Sequence, residues 1–277
     1  MVRGRHGGRR VRWPWLGLGG VAVIVAVVVA VAAVGQAGGR ACAATVSAGG
    51  TVLAGGTGAG TVSAGGTGAG TATHYVLAGT GNCSYPSPPA DGLFVALSPS
   101  EYDGAAACGS YVDVSGPDGS VTAEVIDQCP PCATGHVDLS EAAFARIAPL
   151  SAGLVSVRYR TVADPALAGP ISLRVKEGSS PYWLALLGQN TGNPLASVQV
   201  AGRSGGWQNL TRADYNYWLA ASGAGPGPFT VRLTDTQGHK VTLQGITLSP
   251  GVVQATGTRM YDRAERALVR RTSLAAR

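Results

Sequence analysis

The run from Val125 to Ser140, V-I-D-Q-C-P-P-C-A-T-G-H-V-D-L-S, constrains the fold of this chain more than any other stretch of it. It places two carboxylates, Asp127 and Asp138, two cysteines and a histidine around a Pro-Pro/Gly loop, so several reactive groups must converge over a short length of backbone. Proline donates no hydrogen bond and fixes its own φ, so the strand cannot continue through 130 and 131 and a loop follows. Asp127 closes an apolar run from Val121 to Ile126 that reads as a strand. Asp138 opens the stretch to Ile147, in which Ser140 and Glu141 lead into a helical Ala/Phe/Ile pattern with Ser140 as its candidate cap. A structural reading competes with the functional one: Asp138 itself capping that helix.

The surrounding pattern is mainly β. Short apolar runs at 93–97, 111–114, 121–126 and 154–159 are broken by Gly, Pro and Asp, with one short helix expected near 140–148. A second break falls at 163–170, A-D-P-A-L-A-G-P. Beyond it, strands at 171–175, 197–200, 230–233 and 241–246, separated by Gly-rich turns, read as a small antiparallel sandwich of about 80 residues. Trp207 and Trp218 are expected in its core. The segment 251–277 reads as a basic tail, helical or disordered, to which no function is assigned.

The ends determine compartment and charge. Arg3, Arg5, Arg9, Arg10 and Arg12 precede an uncharged, Val/Ala-rich stretch from Trp13 to Val34, the layout of a secretion signal or a membrane anchor. Its length fits either, and Ala41-Cys42-Ala43 offers a cleavage site, so 1–44 is read as signal or anchor and the body as extracellular. Residues 45–71 are nearly all Gly, Ala, Thr, Ser and Val, with GGTGAG repeated, and are expected to be a flexible linker. Cleavage after Ala43 leaves four cysteines, Cys83, Cys108, Cys129 and Cys132, an even set for an oxidising compartment. Two disulfides are expected, and the three connectivities stay open. Six of the 21 Lys/Arg lie at or before Arg40 and six from Arg259 onward, so the folded part carries nine Lys/Arg against 13 Asp/Glu. A mildly acidic body excludes nucleic acid as a partner. His136 lacks a second ligand at metal spacing, so neither a metal nor another cofactor is expected.

Taken in order, Ala72-Thr73-His74-Tyr75, Gly81-Asn82-Cys83, Ala107-Cys108-Gly109, Val125-Ile126-Asp127 and His136-Val137-Asp138-Leu139-Ser140, then Lys176-Glu177-Gly178-Ser179-Ser180, Tyr182-Trp183 and Asp214-Tyr215-Asn216, resemble the two-domain microbial expansin-like proteins over about residues 72–250. The resemblance implies a six-stranded double-psi β-barrel over 72–164, related to family 45 glycoside hydrolases. It implies an immunoglobulin-like carbohydrate-binding sandwich, similar to family 63 modules, over 165–250. Asp138 matches the aspartate required for wall loosening in the family, and Asp127 and Thr73 match polar groups of the same groove, with Tyr75 and His136 beside them. Tyr182, Trp183 and Tyr215, with Lys176 nearby, match its carbohydrate-binding platform; Tyr182 stands where tryptophan is common. Cys129 stands where some members have tyrosine.

Hydrolysis of a glycosidic bond takes two carboxylates, one as acid and one as base or nucleophile. Asp138 fits the acid, but Tyr75 is followed by Val76-Leu77-Ala78, where related hydrolases carry a base aspartate. The expectation is therefore a secreted, monomeric protein that binds cellulose or a related wall polysaccharide, xyloglucan and peptidoglycan included, and loosens it without hydrolysis. It touches a membrane only through an uncleaved N-terminus. The alternatives are a single-acid glycosidase or lytic transglycosylase acting on peptidoglycan, and a barwin-like binding or inhibitor protein. Tyr182 and Trp183, as neighbours on a strand, would point to opposite faces, so a shared platform requires a turn or bulge after Ser180-Pro181.

Overall fold

Six short strands close into a barrel: β1 (Gly68–Tyr75), β2 (Phe94–Leu97), β3 (Tyr111–Ser115), β4 (Ser120–Gln128), β5 (His136–Ser140) and β6 (Val155–Val162), in the spatial order β1-β5-β2-β4-β3-β6. The computed structural model describes residues 68–261, so the signal or anchor segment, Cys42, most of the glycine linker and the tail from residue 262 lie outside the described residues. β1 pairs with β5 and β2 with β4 in parallel, and the other contacts are antiparallel, giving the double-psi barrel that the resemblance implied. β1 takes in the last residues of the second glycine repeat. Gly70 is needed there, because a Cβ would run into the carbonyl of Gly135, which accepts the Thr71 N–H at 3.0 Å.

One irregularity decides where Asp127 points. Val121, Ala123 and Val125 alternate into the core, and continued alternation would bury Asp127. Between Val95↔Val125 and Ala96↔Asp127 the register slips by one residue, with Ile126 as the extra one on β4. Val125 and Ile126 are both buried, the side-chain phase inverts, and Asp127 is turned out of the barrel. β5 needs no such device: Val137 and Leu139 point in, His136 and Asp138 out.

Two single-turn helices, α1 (Pro99–Tyr102) and α2 (Glu141–Phe144), close the barrel's ends. Ser140 caps α2, its Oγ accepting the Ala143 N–H at 3.1 Å, so Asp138 is not the cap. The cysteines pair as Cys83–Cys108 and Cys129–Cys132.

The second half is a sandwich of two antiparallel sheets. Its strands are β7 (Ser172–Val175), β8 (Leu184–Gln189), β9 (Leu195–Ala201), β10 (Trp207–Asn209), β11 (Thr211–Arg212), β12 (Trp218–Ala220), β13 (Phe229–Asp235), β14 (Lys240–Ile246) and β15 (Val253–Ala255). They form the sheets β10-β9-β13-β14 and β11-β12-β8-β7-β15. Two expectations change here. The sandwich runs past residue 250, because β15 pairs with β7 and Met260 and Tyr261 join the core, so the tail's first part is folded. Trp218 is buried, but Trp207 is 40% exposed on the edge strand β10, with the Arg232 guanidinium 3.9 Å from its ring centre. It covers surface rather than filling the core.

β8 is buried on both faces from Leu184 to Gly188. Leu184 and Leu186 face the sandwich core, while Ala185 and Leu187 belong to the barrel's apolar cluster together with Tyr217. A strand covered on both sides reads as a continuous apolar run rather than an alternating one, as L-A-L-L does. The barrel thus docks on the outer face of the five-stranded sheet.

Candidate functional site

The register aligns Thr73 on β1 with Asp138 on β5, Asp138 with Ala96 on β2, and Ala96 with Asp127 on β4. These four residues form one row across neighbouring strands, with Asp138 on its outer side by the ordinary alternation of β5 and Asp127 by the bulge. Two strand spacings, roughly 10 Å of backbone, separate the aspartates. Ala96, between them, is itself buried.

Around Asp138 the polar groups form a chain. Thr73 donates its hydroxyl to Asp138 Oδ1 at 2.6 Å, His136 Nε2 lies 2.8 Å from the Thr73 oxygen, and His136 Nδ1 lies 3.3 Å from the Thr71 hydroxyl. With its hydroxyl proton committed to Asp138, Thr73 must accept from His136 Nε2–H. The two-residue spacing of Thr71 and Thr73, matched by that of His136 and Asp138 on the parallel strand, generates this order.

Asp127 is held from the other side. Its Oδ1 accepts the backbone N–H groups of Asn82 at 2.6 Å and Gln128 at 2.8 Å, and its Oδ2 receives the Tyr75 hydroxyl at 3.5 Å. Burial, and after it the negative charge of Asp127 and then Asp138, pushes the Tyr75 phenol far up, so Tyr75 remains a donor at all ordinary pH. Its ring meets Phe94 edge-on with centroids 5.7 Å apart. Both oxygens of Asp127 have partners, and Oδ1 has its two lone pairs filled, which suits a fixed acceptor better than a base that must activate water. A shallow depression lined by Ala78, Gly81, Asn82, Gln128 and Pro130 extends the groove beyond Asp127.

The aromatic residues sit on the sandwich beside this groove. Ser180 and Trp183 form a two-bond bridge, Ser180 N–H to Trp183 O at 2.7 Å and the reverse at 3.3 Å, so Pro181 and Tyr182 are the tip of a tight turn. That turn resolves the problem of two neighbours on one strand. Tyr182 stands 83% exposed, while Trp183 and Tyr215 are half-buried against the barrel's cluster. The turn rests on Gly223, where φ is +71° and a Cβ would meet the Pro181 carbonyl. Tyr217, not singled out from the sequence, lies 6.0 Å from Tyr215 ring to ring and carries the Lys176 ammonium 5.4 Å from its centroid. Both tyrosines lie in the loop before β12, with Asn216 between them at positive φ, so no strand alternation signalled Tyr217.

Groove and aromatics are joined by residues whose function the sequence did not reveal. Asn82 donates its backbone N–H to Asp127 and its side-chain amide to the Asp214 carbonyl at 3.2 Å. The Tyr102 hydroxyl donates to that same carbonyl at 2.9 Å, Ser84 donates to the Tyr215 carbonyl at 2.8 Å, and Asn216 donates to the Cys83 carbonyl at 3.2 Å. Asn216 holds φ at +69°, a conformation asparagine tolerates well. Among the described residues His136 has threonine partners and no second ligand group. The cluster with metal-ligand spacing is instead Asp164, Asp235 and His239, at the junction of the two domains. There, Asp235 already accepts from Asn193, Gln237 and His239.

Residues 95–159 match the family described as lytic transglycolase, and residues 171–247 match the expansin C-terminal domain. Expansin-YoaJ of Bacillus subtilis is 36% identical over 157 residues, which are 55% of this chain and 66% of the relative. Expansin-like protein 1 of Dictyostelium discoideum is 30% identical over 181 residues, 61% of this chain and 63% of the relative. The chain thus spans just under two thirds of these two relatives. The crystal structure of Clavibacter michiganensis expansin without ligand superposes with a TM-score of 0.67 at 46% identity, covering 71% of this chain and 98% of that one. An Asp-to-Asn variant of the same protein has been solved in complex with cellohexaose, with the same similarity.

Proposed function

This chain belongs to the expansin family, and from that premise we propose that it is a secreted protein which binds an extended β-glucan, cellulose first, along the groove and the aromatic loops, and loosens the polymer without cleaving it. The observation that carries this reading is the continuity of the two surfaces. Asn82 holds the groove carboxylate Asp127 with one N–H and the aromatic loop at Asp214 with another. One rigid glucan chain can therefore lie on both domains at once. Tyr182, Trp183 and Tyr215 supply apolar ring faces for the C–H faces of the sugars, and Lys176 adds a cation for charged matrix polymers.

Asp138 is the group that acts on the chain. Thr73 orients it and supplies one hydrogen bond, which leaves its second oxygen for a sugar hydroxyl. Hydrogen bonds made to Asp138 replace those between neighbouring glucans, and release of the chain from its neighbours is the loosening step. Asp127, Tyr75 and His136 line the same groove as fixed acceptor, fixed donor and relay. The cellohexaose bound by the Clavibacter variant supports a cellulose-type ligand for this chain.

A second reading has one observation in its favour, the match of the barrel to the lytic transglycolase family. That chemistry acts on peptidoglycan and needs a single acid, which Asp138 would be. One experiment separates the two. Purified protein is applied to cellulose under constant load and to peptidoglycan, with soluble products measured in parallel. Extension of the cellulose without sugar release, abolished by Asp138→Asn while cellulose binding persists, is the expected result. Soluble muropeptides or cello-oligosaccharides that disappear in Asp138→Asn would establish an enzyme instead.

A further inference from the structure

We propose that the Cys129–Cys132 disulfide is a thiol–disulfide exchange site on the rim of the groove, taking a small thiol or dithiol reductant, and that its redox state sets the position of the groove wall at Pro130. The two disulfides differ in every property that governs exchange. Cys83–Cys108 is buried at both ends, bridges 25 positions and lies under the seam with the sandwich. Cys129–Cys132 bridges three positions, between exposed Pro130 and Pro131, with Cys132 partly open to solvent and Cys129 buried. Exchange begins with attack on an accessible sulfur, so Cys132 Sγ is the point of entry.

A thiolate of the reductant attacks Cys132 Sγ, forming a mixed disulfide while the Sγ–Sγ bond breaks and Cys129 leaves as thiolate, which takes a proton from water. A second thiolate of the reductant attacks the reductant's sulfur in the mixed disulfide and releases Cys132. The protein gains two thiols and the reductant becomes a disulfide.

The consequence follows from the turn inside the ring. Cys132 N–H donates to the Cys129 carbonyl at 3.0 Å, which makes Pro130 and Pro131 the two central residues of a β-turn. Proline is disfavoured at the second central position because its ring pushes the preceding residue out of the α region. Both X–Pro bonds here are trans, since the cis bond among the described residues is Gly227–Pro228. The sequence alone therefore holds this turn poorly, and the covalent link holds it in place. Pro130 walls the depression beside Asp127, and the same loop leads from β4, which carries Asp127, to β5, which carries Asp138. On the far side, the Cys129 N–H is bonded to the Leu97 carbonyl and Gly135 to Thr71, so reduction releases the turn without releasing the strands.

The consequence for the groove rests on the glucan reading above, whereas the exchange order does not. The full chain, folded, is equilibrated with increasing dithiothreitol, quenched with iodoacetamide and mapped by peptide mass spectrometry. Cys129 and Cys132 are expected to label at roughly a tenfold lower dithiothreitol level than Cys83 and Cys108. Simultaneous labelling, or Cys83–Cys108 opening first, overturns the site. Cellohexaose binding is then measured on oxidised and on partly reduced protein. The reduced form is expected to bind about threefold more weakly, and the double variant Cys129→Ser/Cys132→Ser to match it with or without dithiothreitol. Equal binding by oxidised and reduced protein overturns the wall's role and leaves the glucan reading standing. Absence of cellohexaose binding by the oxidised protein removes the glucan reading, and the labelling order still decides the exchange site.

Discussion

At the residue scale, Thr73 and Glu124 show how a neighbour's demands define a side chain. Thr73 is the shared oxygen of the chain from Thr71 through His136 to Asp138, donating to one partner and accepting from another. Thr73→Val keeps the shape and removes both bonds. It is expected to leave the barrel folded at a cost of roughly 1–2 kcal/mol, to cut loosening activity severalfold and to leave binding by the sandwich intact. Denaturant unfolding with cellulose binding and extension assays would check this, and unchanged extension would remove Thr73 from the site. Glu124 lies outside the groove, where the Tyr111 hydroxyl donates to it at 3.3 Å. Burial pushes its carboxyl up from about 4.5 to about 7, the Tyr111 bond opposing this and the Asp91 charge adding to it. Between those values the unfolded chain has ionised and the folded one has not, so stability falls as pH rises through the window. Above about 7 both are ionised, and the cost, on the order of 3 kcal/mol, is fully present. Glu124→Gln should therefore stabilise the protein at pH 8 and change little at pH 4. Equal effects of the substitution at both pH values in thermal unfolding would refute the burial argument.

At the element scale, the candidate site is shaped by a bulge and a glycine, and the barrel is held by a disulfide. The extra residue Ile126 turns Asp127 outward, and the Ser180–Trp183 turn lifts Tyr182 into solvent over Gly223. Gly223→Ala introduces a Cβ against the Pro181 carbonyl at positive φ, so the turn must move. Cellulose binding should fall several-fold while the sandwich core stays folded, because no core side chain is touched. Retained affinity would show that the position of Tyr182 does not matter. Cys83–Cys108 encloses the longer loop, and its removal in a Cys83→Ala/Cys108→Ala variant should cost about 3–4 kcal/mol by the loop-closure argument. Chemical denaturation reads that difference directly.

At the scale of the whole molecule, barrel and sandwich share one apolar cluster, into which the sandwich sends Ala185, Leu187 and Tyr217. Ser84, Asn82 and Asn216 tie the seam by hydrogen bonds to the facing backbone. Two domains joined this way should melt as one. Calorimetry of the wild type is expected to give a single transition, and Asn216→Ala, which leaves the Cys83 carbonyl without its donor, should lower stability by roughly 1–3 kcal/mol and begin to separate the transitions. Two well-resolved transitions in the wild type would mean that the seam transmits little.

The sequence by itself determined the local terms of this protein. Ser140 was legible as a cap because its oxygen serves an N–H three residues away, and the end of β4 because two prolines cannot continue a strand's hydrogen-bond ladder. The order of short motifs carried the family, and with it the barrel and the sandwich. The tertiary structure decided what depends on partners distant in the chain. Thr73 meets Asp138 only through the parallel pairing of β1 with β5, which no local pattern encodes. Asp127 faces the groove only because a register slip inverts its phase. β1 begins within a glycine repeat and β15 within an apparent tail, because each completes a sheet edge whose hydrogen bonds reward any backbone that fits. Trp207 is exposed because its strand lies at an edge, where the Arg232 guanidinium rather than the core covers the ring. Asn82 and Asn216 bridge the domains through amides whose partners are backbone carbonyls, so the facing side chains leave no trace of the bond in the sequence.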